Sequence, residues 1–161
     1  MPAFILTLLA AAAGFVIWSS GQLPERVASH FGVSGQADAF VARSQFITLM
    51  VIITTAVPGF VWALQRFVAR KKKTNIPHRE YWFSKERYAA TLRYLDLHAA
   101  WFTVGCVVFL CVVHWLVVQA NVEPHGAMRL NTPVFLIALG LFFAFTIGWV
   151  AALFVRFRRR A

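Results

Sequence analysis

Charge is scarce in this chain, and acidic charge most of all. Only 14% of its 161 residues are Asp, Glu, Lys or Arg, and just six are acids, where a soluble domain carries about 25% charged residues. A soluble domain of this length could not hide the 60% of residues that are hydrophobic. No Asp or Glu falls in the middle of any long apolar run. That argues against proton-coupled transport by this chain alone, because such a route needs an intramembrane acid. Cysteine is nearly absent: Cys106 and Cys111 lie five apart in one apolar run. On a helix they would point about 140° away from each other, so no ordinary disulfide joins them and no redox compartment can be read from them. No Lys or Arg precedes the first apolar run. The charged start of a signal peptide is therefore missing, and the run reads as a retained span. The chain offers no nucleophile–base arrangement, carboxylate pair, phosphate-cradling glycine loop or zinc cluster. An enzyme reading has little support, and no cofactor or metal is expected.

What is present is four long apolar runs, at residues 3–20, 45–68, 95–118 and 132–155. Each is long enough to cross a hydrocarbon layer about 30 Å thick as a helix. Lipid offers no water to unpaired backbone groups, so spans must be helices or a closed barrel, and barrel strands are shorter and alternate in polarity. The expected fold class is all-α integral membrane, a single four-transmembrane-helix bundle over residues 1–161. Lys and Arg are not spread evenly: thirteen of the sixteen flank the 69–94 connection or form the tail through Arg159 and Arg160, and only Arg26, Arg43 and Arg129 lie elsewhere. The positive-inside rule then gives an N-in/C-in arrangement, with outer loops at 21–44 and 119–131 and a cytoplasmic connection at 69–94. Pro124 and Gly126 are turn formers in the second outer loop. The clustered charge predicts contact with anionic lipid headgroups rather than with nucleic acid.

Within the spans the polar groups are few. Pro58-Gly59 predicts a kink, since Pro58 cannot donate to the carbonyl of Thr54. Asp96 and His98 sit at the inner start of the third run. Cys111 and His114 are three apart and would share a helix face; His114 is expected to be buried and hydrogen-bonded rather than a ligand. Gly140, Ala144 and Gly148 form a small-residue stripe on the fourth run. Such a stripe lets another helix come close, within the bundle, in a homo-oligomer or in a larger membrane complex.

The loop at 21–44 carries a possible site. Leu23, Val27 and Phe31 fall at i, i+4 and i+8, and Pro24 suits a first helical turn. Residues 24–31 are therefore expected to form a short outer amphipathic helix, ended by Gly32 in a left-handed conformation. His30 lies in its last turn. Ser34-Gly35 marks a turn, and Asp38 follows as a polar partner or as the N-cap of the second span. Two such side chains are too few for a metal. On the cytoplasmic side, Asn75, Ile76, Pro77, Tyr81 and Trp82 form a possible docking motif, with aromatic rings suited to an interface. An interfacial helix is expected from Lys85 into the third span.

Two segments carry a resemblance. Pro24, His30, Phe31, Gly35, Asp38 and Phe40, together with Asn75, Ile76, Pro77, Tyr81 and Trp82, resemble signatures of an uncharacterised bacterial membrane domain. That domain is shared with the N-terminal part of SdpI-type immunity proteins, and the resemblance covers roughly residues 1–115. SdpI-type proteins protect a cell from a secreted membrane-active toxin and take part in signalling, but they are longer. The resemblance implies a bacterial inner-membrane protein that binds a peptide, lipid or protein partner. An accessory subunit of a larger complex is the first alternative and a small transporter the second.

Overall fold

The structure, a computed structural model, describes residues 1–122 and 128–158. Pro124, Gly126, Arg159 and Arg160 lie outside the described residues. The elements run in order α1 (Pro2–Ser19), a 3₁₀ turn (Ser20–Gln22), β1 (Arg26–Phe31), β2 (Ala37–Ala42), α2 (Arg43–Val51), a π-helical turn (Ile52–Ala56), α3 (Val57–Arg70), α4 (Arg79–Trp82), α5 (Tyr88–Val122) and α6 (Thr132–Arg158). Among the described residues, four helical units are long and apolar enough to cross a membrane: Pro2–Gln22, Arg43–Arg70, Tyr88–Val122 and Thr132–Arg158. The shortest has 21 residues, about 30 Å of helix. The chain is a mostly helical, multi-pass membrane protein.

The second unit shows how the chain absorbs a proline. Pro58 has no N–H for the carbonyl of Thr54, so the preceding turn widens into a π-helical turn, in which Val57 N–H reaches back to the Ile52 carbonyl. Thr54 and Thr55 bond back to the turn before it. Their hydroxyls donate to Met50 O at 2.7 Å and to Val51 O at 2.6 Å.

The four units are not equivalent. α1, the Arg43–Arg70 unit and α5 pack together, whereas α6 packs chiefly on α5. Leu141, Ile147 and Val155 on α6 are 67%, 69% and 72% exposed, an outer face suited to lipid or another helix. Two buried clusters hold the ends. Val16, Leu23, Val27, Phe46, Val117 and Val118 gather at one end; Ala69, Ile76, Trp82, Phe83, Leu95 and Phe157 gather at the basic end.

Two expectations need correction. Residues 24–31 are not a helix: Arg26–Phe31 is a strand paired antiparallel with Ala37–Ala42. The i, i+4, i+8 spacing of Leu23, Val27 and Phe31 fits a helix taken alone. The hairpin prevails because Val27, Phe31, Phe40 and Val41 suit a pleated surface packed on a bundle, and because the 32–36 turn closes it. The left-handed glycine is Gly35, at φ +80°, not Gly32. In that turn Gly32 N–H donates to Gln36 O and Gly35 N–H to Gly32 O. The helix expected from Lys85 into the third span starts three residues later. α5 begins at Tyr88 and runs unbroken for 35 residues into the third crossing. No Gly or Pro interrupts residues 88–104, so nothing ends a helix there.

Candidate functional site

The hairpin caps one end of the bundle and carries the candidate polar site. Its register shifts twice, between Ala28 and His30 and between His30 and Phe31. Ser29 and Asp38 are thereby left without a cross-strand partner. A bulge re-aims the side chains around it, and here it sets Asp38 against His30. His30 Nδ1 lies 2.6 Å from Asp38 Oδ1, with side chains 71% and 52% exposed. With Nδ1 held by the carboxylate, Nε2 is the ring nitrogen left for a partner. Arg26 stands over the Phe40 ring at 6.0 Å, so the same hairpin carries cationic and aromatic groups.

The other residues singled out in this loop have different places. Pro24 is exposed in the link that enters β1. Phe31 packs against the buried cluster beneath the hairpin. Gly35 is buried, and a Cβ there would lie 2.6 Å from Thr132 Oγ1 and 3.0 Å from Leu130 O. Its positive φ and this close approach both require glycine.

Asn121 is the residue that sequence reading misses. Its Oδ1 accepts from Ala28 N–H at 2.8 Å, and its Nδ2 donates to Ala28 O at 3.1 Å and to Val117 O at 2.9 Å. The amide acts as one residue of a third strand and pairs both backbone groups of Ala28. On the other side, Leu130 N–H donates to Gly35 O and Ala37 N–H to Met128 O. Arg43 Nη1 donates to Leu23 O at 3.1 Å. Both edges of the two-stranded sheet are thus occupied, as a lone hairpin requires for stability. The only signal for Asn121 is an amide at the end of an apolar run.

At the basic end the Asn75–Trp82 motif divides. Ile76 and Trp82 are buried at 6% and 4% exposure. Trp82 Nε1–H donates to Phe157 O at 3.2 Å, and the Arg156 guanidinium lies 4.7 Å from the Trp82 ring centre. Asn75 is exposed, and Pro77 and Tyr81 are half-buried. Asp96 gathers Arg66 at 3.2 Å and Arg70 at 3.4 Å, which lets an acid sit at a membrane edge.

Cys111 and His114 face different surroundings. Cys111 lines an apolar groove with Phe15 and Trp115. His114 is fully buried; its Nε2 lies 2.9 Å from Ser19 Oγ, and its ring stacks on Phe46. The Ser19 hydroxyl donates to Phe15 O at 2.7 Å, which leaves Oγ to accept from His114 Nε2–H. Gly140, Ala144 and Gly148 are exposed, and nothing lies within 4 Å of a Cβ built on either glycine. Among the described residues, nothing packs on the stripe. Among the described residues, no three His, Cys, Asp or Glu side chains come together as a metal ion would need.

The family described as Domain of unknown function (DUF1648) matches residues 5–55. The match spans most of α1, the hairpin, α2 and most of the π-helical turn, and so includes the His30–Asp38 pair. No curated protein and no solved structure matches the chain.

Proposed function

We propose that this chain is a non-enzymatic membrane protein that binds a peptide, lipid or protein partner at its hairpin, in an SdpI-like immunity or signalling role. One observation carries the reading: the exposed His30–Asp38 pair on a hairpin tied to the bundle at both edges. An exposed ion pair contributes at most about 1 kcal/mol to stability, so the fold itself does not need these residues together. Val33 is fully exposed and Phe40 is 40% exposed on the same hairpin. Polar and apolar contacts side by side suit an amphipathic peptide. The clustering of thirteen of the sixteen Lys and Arg supports an N-in/C-in arrangement in a bacterial inner membrane, with the hairpin outward and the basic end near anionic headgroups.

The test is survival. Cells producing the chain are challenged with membrane-active amphipathic peptides, and we expect protection that His30→Ala or Asp38→Ala abolishes at unchanged amounts of folded protein. No protection by the unaltered chain, or protection that survives both substitutions, overturns the reading.

A second reading, an accessory subunit of a larger membrane complex, is favoured by α6. Its Gly140–Ala144–Gly148 stripe is open and its outer face is apolar, a surface on which another helix could pack closely. Purification in a gentle detergent is then expected to recover a stoichiometric membrane-protein partner. A clean lone species would count against this reading.

A further inference from the structure

At the basic end, three cations from three segments stand over the rings of one aromatic cluster. The Arg156 guanidinium, on α6, lies 4.7 Å from the Trp82 ring centre and 5.6 Å from that of Tyr94. Arg87, just before α5, lies 4.1 Å from the Tyr81 ring centre. Lys72, just after α3, holds its Nζ 5.0 Å from the Tyr88 ring centre. Trp82 belongs to the buried cluster, and Tyr81, Tyr88 and Tyr94 pack against it. Tyr81 and Trp82 meet edge to face with centroids 5.1 Å apart, so Arg87 and Arg156 stand on neighbouring rings.

A ring face attracts a cation and holds it in place. Trp82 is itself fixed, because its Nε1–H is bonded to Phe157 O. Lys72, Arg87 and Arg156 are all exposed, and among the described residues none has a carboxylate within ion-pairing reach. Asp96 is taken by Arg66 and Arg70, and Asp38 by His30. Glu80 and Glu86, which lie between Lys72 and Arg87 in sequence, form no ion pair among the described residues. A ring accepts no conventional hydrogen bond, so the N–H groups of these cations remain for an anion.

The surface beside them says what kind of anion. On α6 the exposed Phe154 and Val155 lead directly into Arg156. On α3 the exposed Phe67 carries Lys71, whose Nζ stands 5.8 Å from the ring centre. The apolar outer faces of two membrane helices thus run straight into cations, which is the order of acyl chain and headgroup in a phospholipid. A soluble acidic partner would answer the charge and leave the apolar faces uncovered. Two guanidinium groups fixed on adjacent rings call for two anionic groups joined in one molecule.

We propose that Arg87 and Arg156, flanked by Lys72, form a discrete site for an anionic phospholipid whose headgroup carries two phosphates. The proposal rests on the reading of this end as headgroup-facing and names the headgroup. It does not involve the hairpin.

The test compares lipids on the full chain in neutral-detergent micelles, read by native mass spectrometry. Micelles have no sides, so the result does not depend on how the chain is oriented. Cardiolipin and phosphatidylglycerol are supplied at equal total phosphate, which matches charge and acyl chains and leaves only the joining of two phosphates different. A joined second phosphate binds at a raised effective concentration. Cardiolipin is therefore expected to half-saturate the chain at a phosphate concentration on the order of tenfold lower. The double variant Arg87→Gln/Arg156→Gln should lose that preference. Lys85→Gln/Arg93→Gln removes the same charge from two other exposed cations of this end and should keep it. Equal half-saturation by the two lipids would show a diffuse basic surface: it overturns the proposal and leaves general headgroup contact standing, whereas binding of neither lipid removes both. Equal losses in the two double variants would also overturn it, as would displacement of bound lipid by inorganic pyrophosphate, the mark of a soluble-anion site. The lipid comparison in the unaltered chain decides the matter even if a variant fails to fold.

Discussion

Replacing Trp82 by alanine is expected to cost about 3–5 kcal/mol, the usual range for removing a buried aromatic side chain. Trp82 is 4% exposed, meets the Phe157 ring edge-on at 5.2 Å, and donates its indole N–H to Phe157 O. Its own carbonyl accepts the Thr91 hydroxyl at 2.7 Å. The residue thus joins the segment after α3 to the start of α5 through its carbonyl and to the end of α6 through its side chain. The consequence is more than a cavity, because α6 packs chiefly on α5 and this cluster anchors its basic end. Unfolding in mixed micelles, followed by circular dichroism as the denaturing detergent fraction rises, should show the midpoint for Trp82→Ala moving far down. Trp82→Phe keeps one aromatic ring but gives up the rest of the indole and its N–H donor, so it should lose less, about 1–3 kcal/mol. Trypsin should also cut sooner at Arg156 and Arg158 in the alanine variant. Equal losses in the two variants would show that ring packing is not what holds this end together.

The sequence makes the crossings legible because their physics is local. A run such as 95–118 has no alternative in lipid to pairing its own backbone as a helix. The effect of Pro58 is legible for the same reason: a missing donor must be felt one turn earlier. The hairpin is not legible in this way. Leu23, Val27 and Phe31 satisfy a helical period over a stretch too short for the period to decide, and the strand pairing that prevails depends on residues six to sixteen positions away. His30 and Asp38 can be chosen from sequence as the polar residues of the loop. Their contact across 2.6 Å depends on two bulges that no spacing announces.

The basic end shows the same limit. The aromatic residues of Asn75–Trp82 stand out among charges, and a surface role is the natural reading. The structure turns Ile76 and Trp82 inward because Phe157, 75 residues beyond Trp82, completes their cluster.

Asn121 gives the sharpest test of what holds the hairpin. Ala28 is fully buried, so its N–H and C=O cannot turn to water if the amide is removed. Asn121→Ala leaves one donor and one acceptor orphaned, each costing about 1–3 kcal/mol, and a loss of about 2–4 kcal/mol is expected. That loss should be local. The contacts at stake join β1 to the end of α5, 93 residues apart in sequence, while the four membrane helices keep their own backbone hydrogen bonds. Limited trypsin digestion should therefore cut the variant faster at Arg26 and Arg43, with the helical signal preserved. Gln119→Ala, an exposed neighbour on the same helix, should digest like the unaltered chain. Because His30 and Asp38 stand on this hairpin, Asn121→Ala should also weaken protection against amphipathic peptides without touching either residue. Unchanged cleavage at Arg26 would mean that packing of Val27 and Leu23 alone seats the hairpin, and that Asn121 only fills its place.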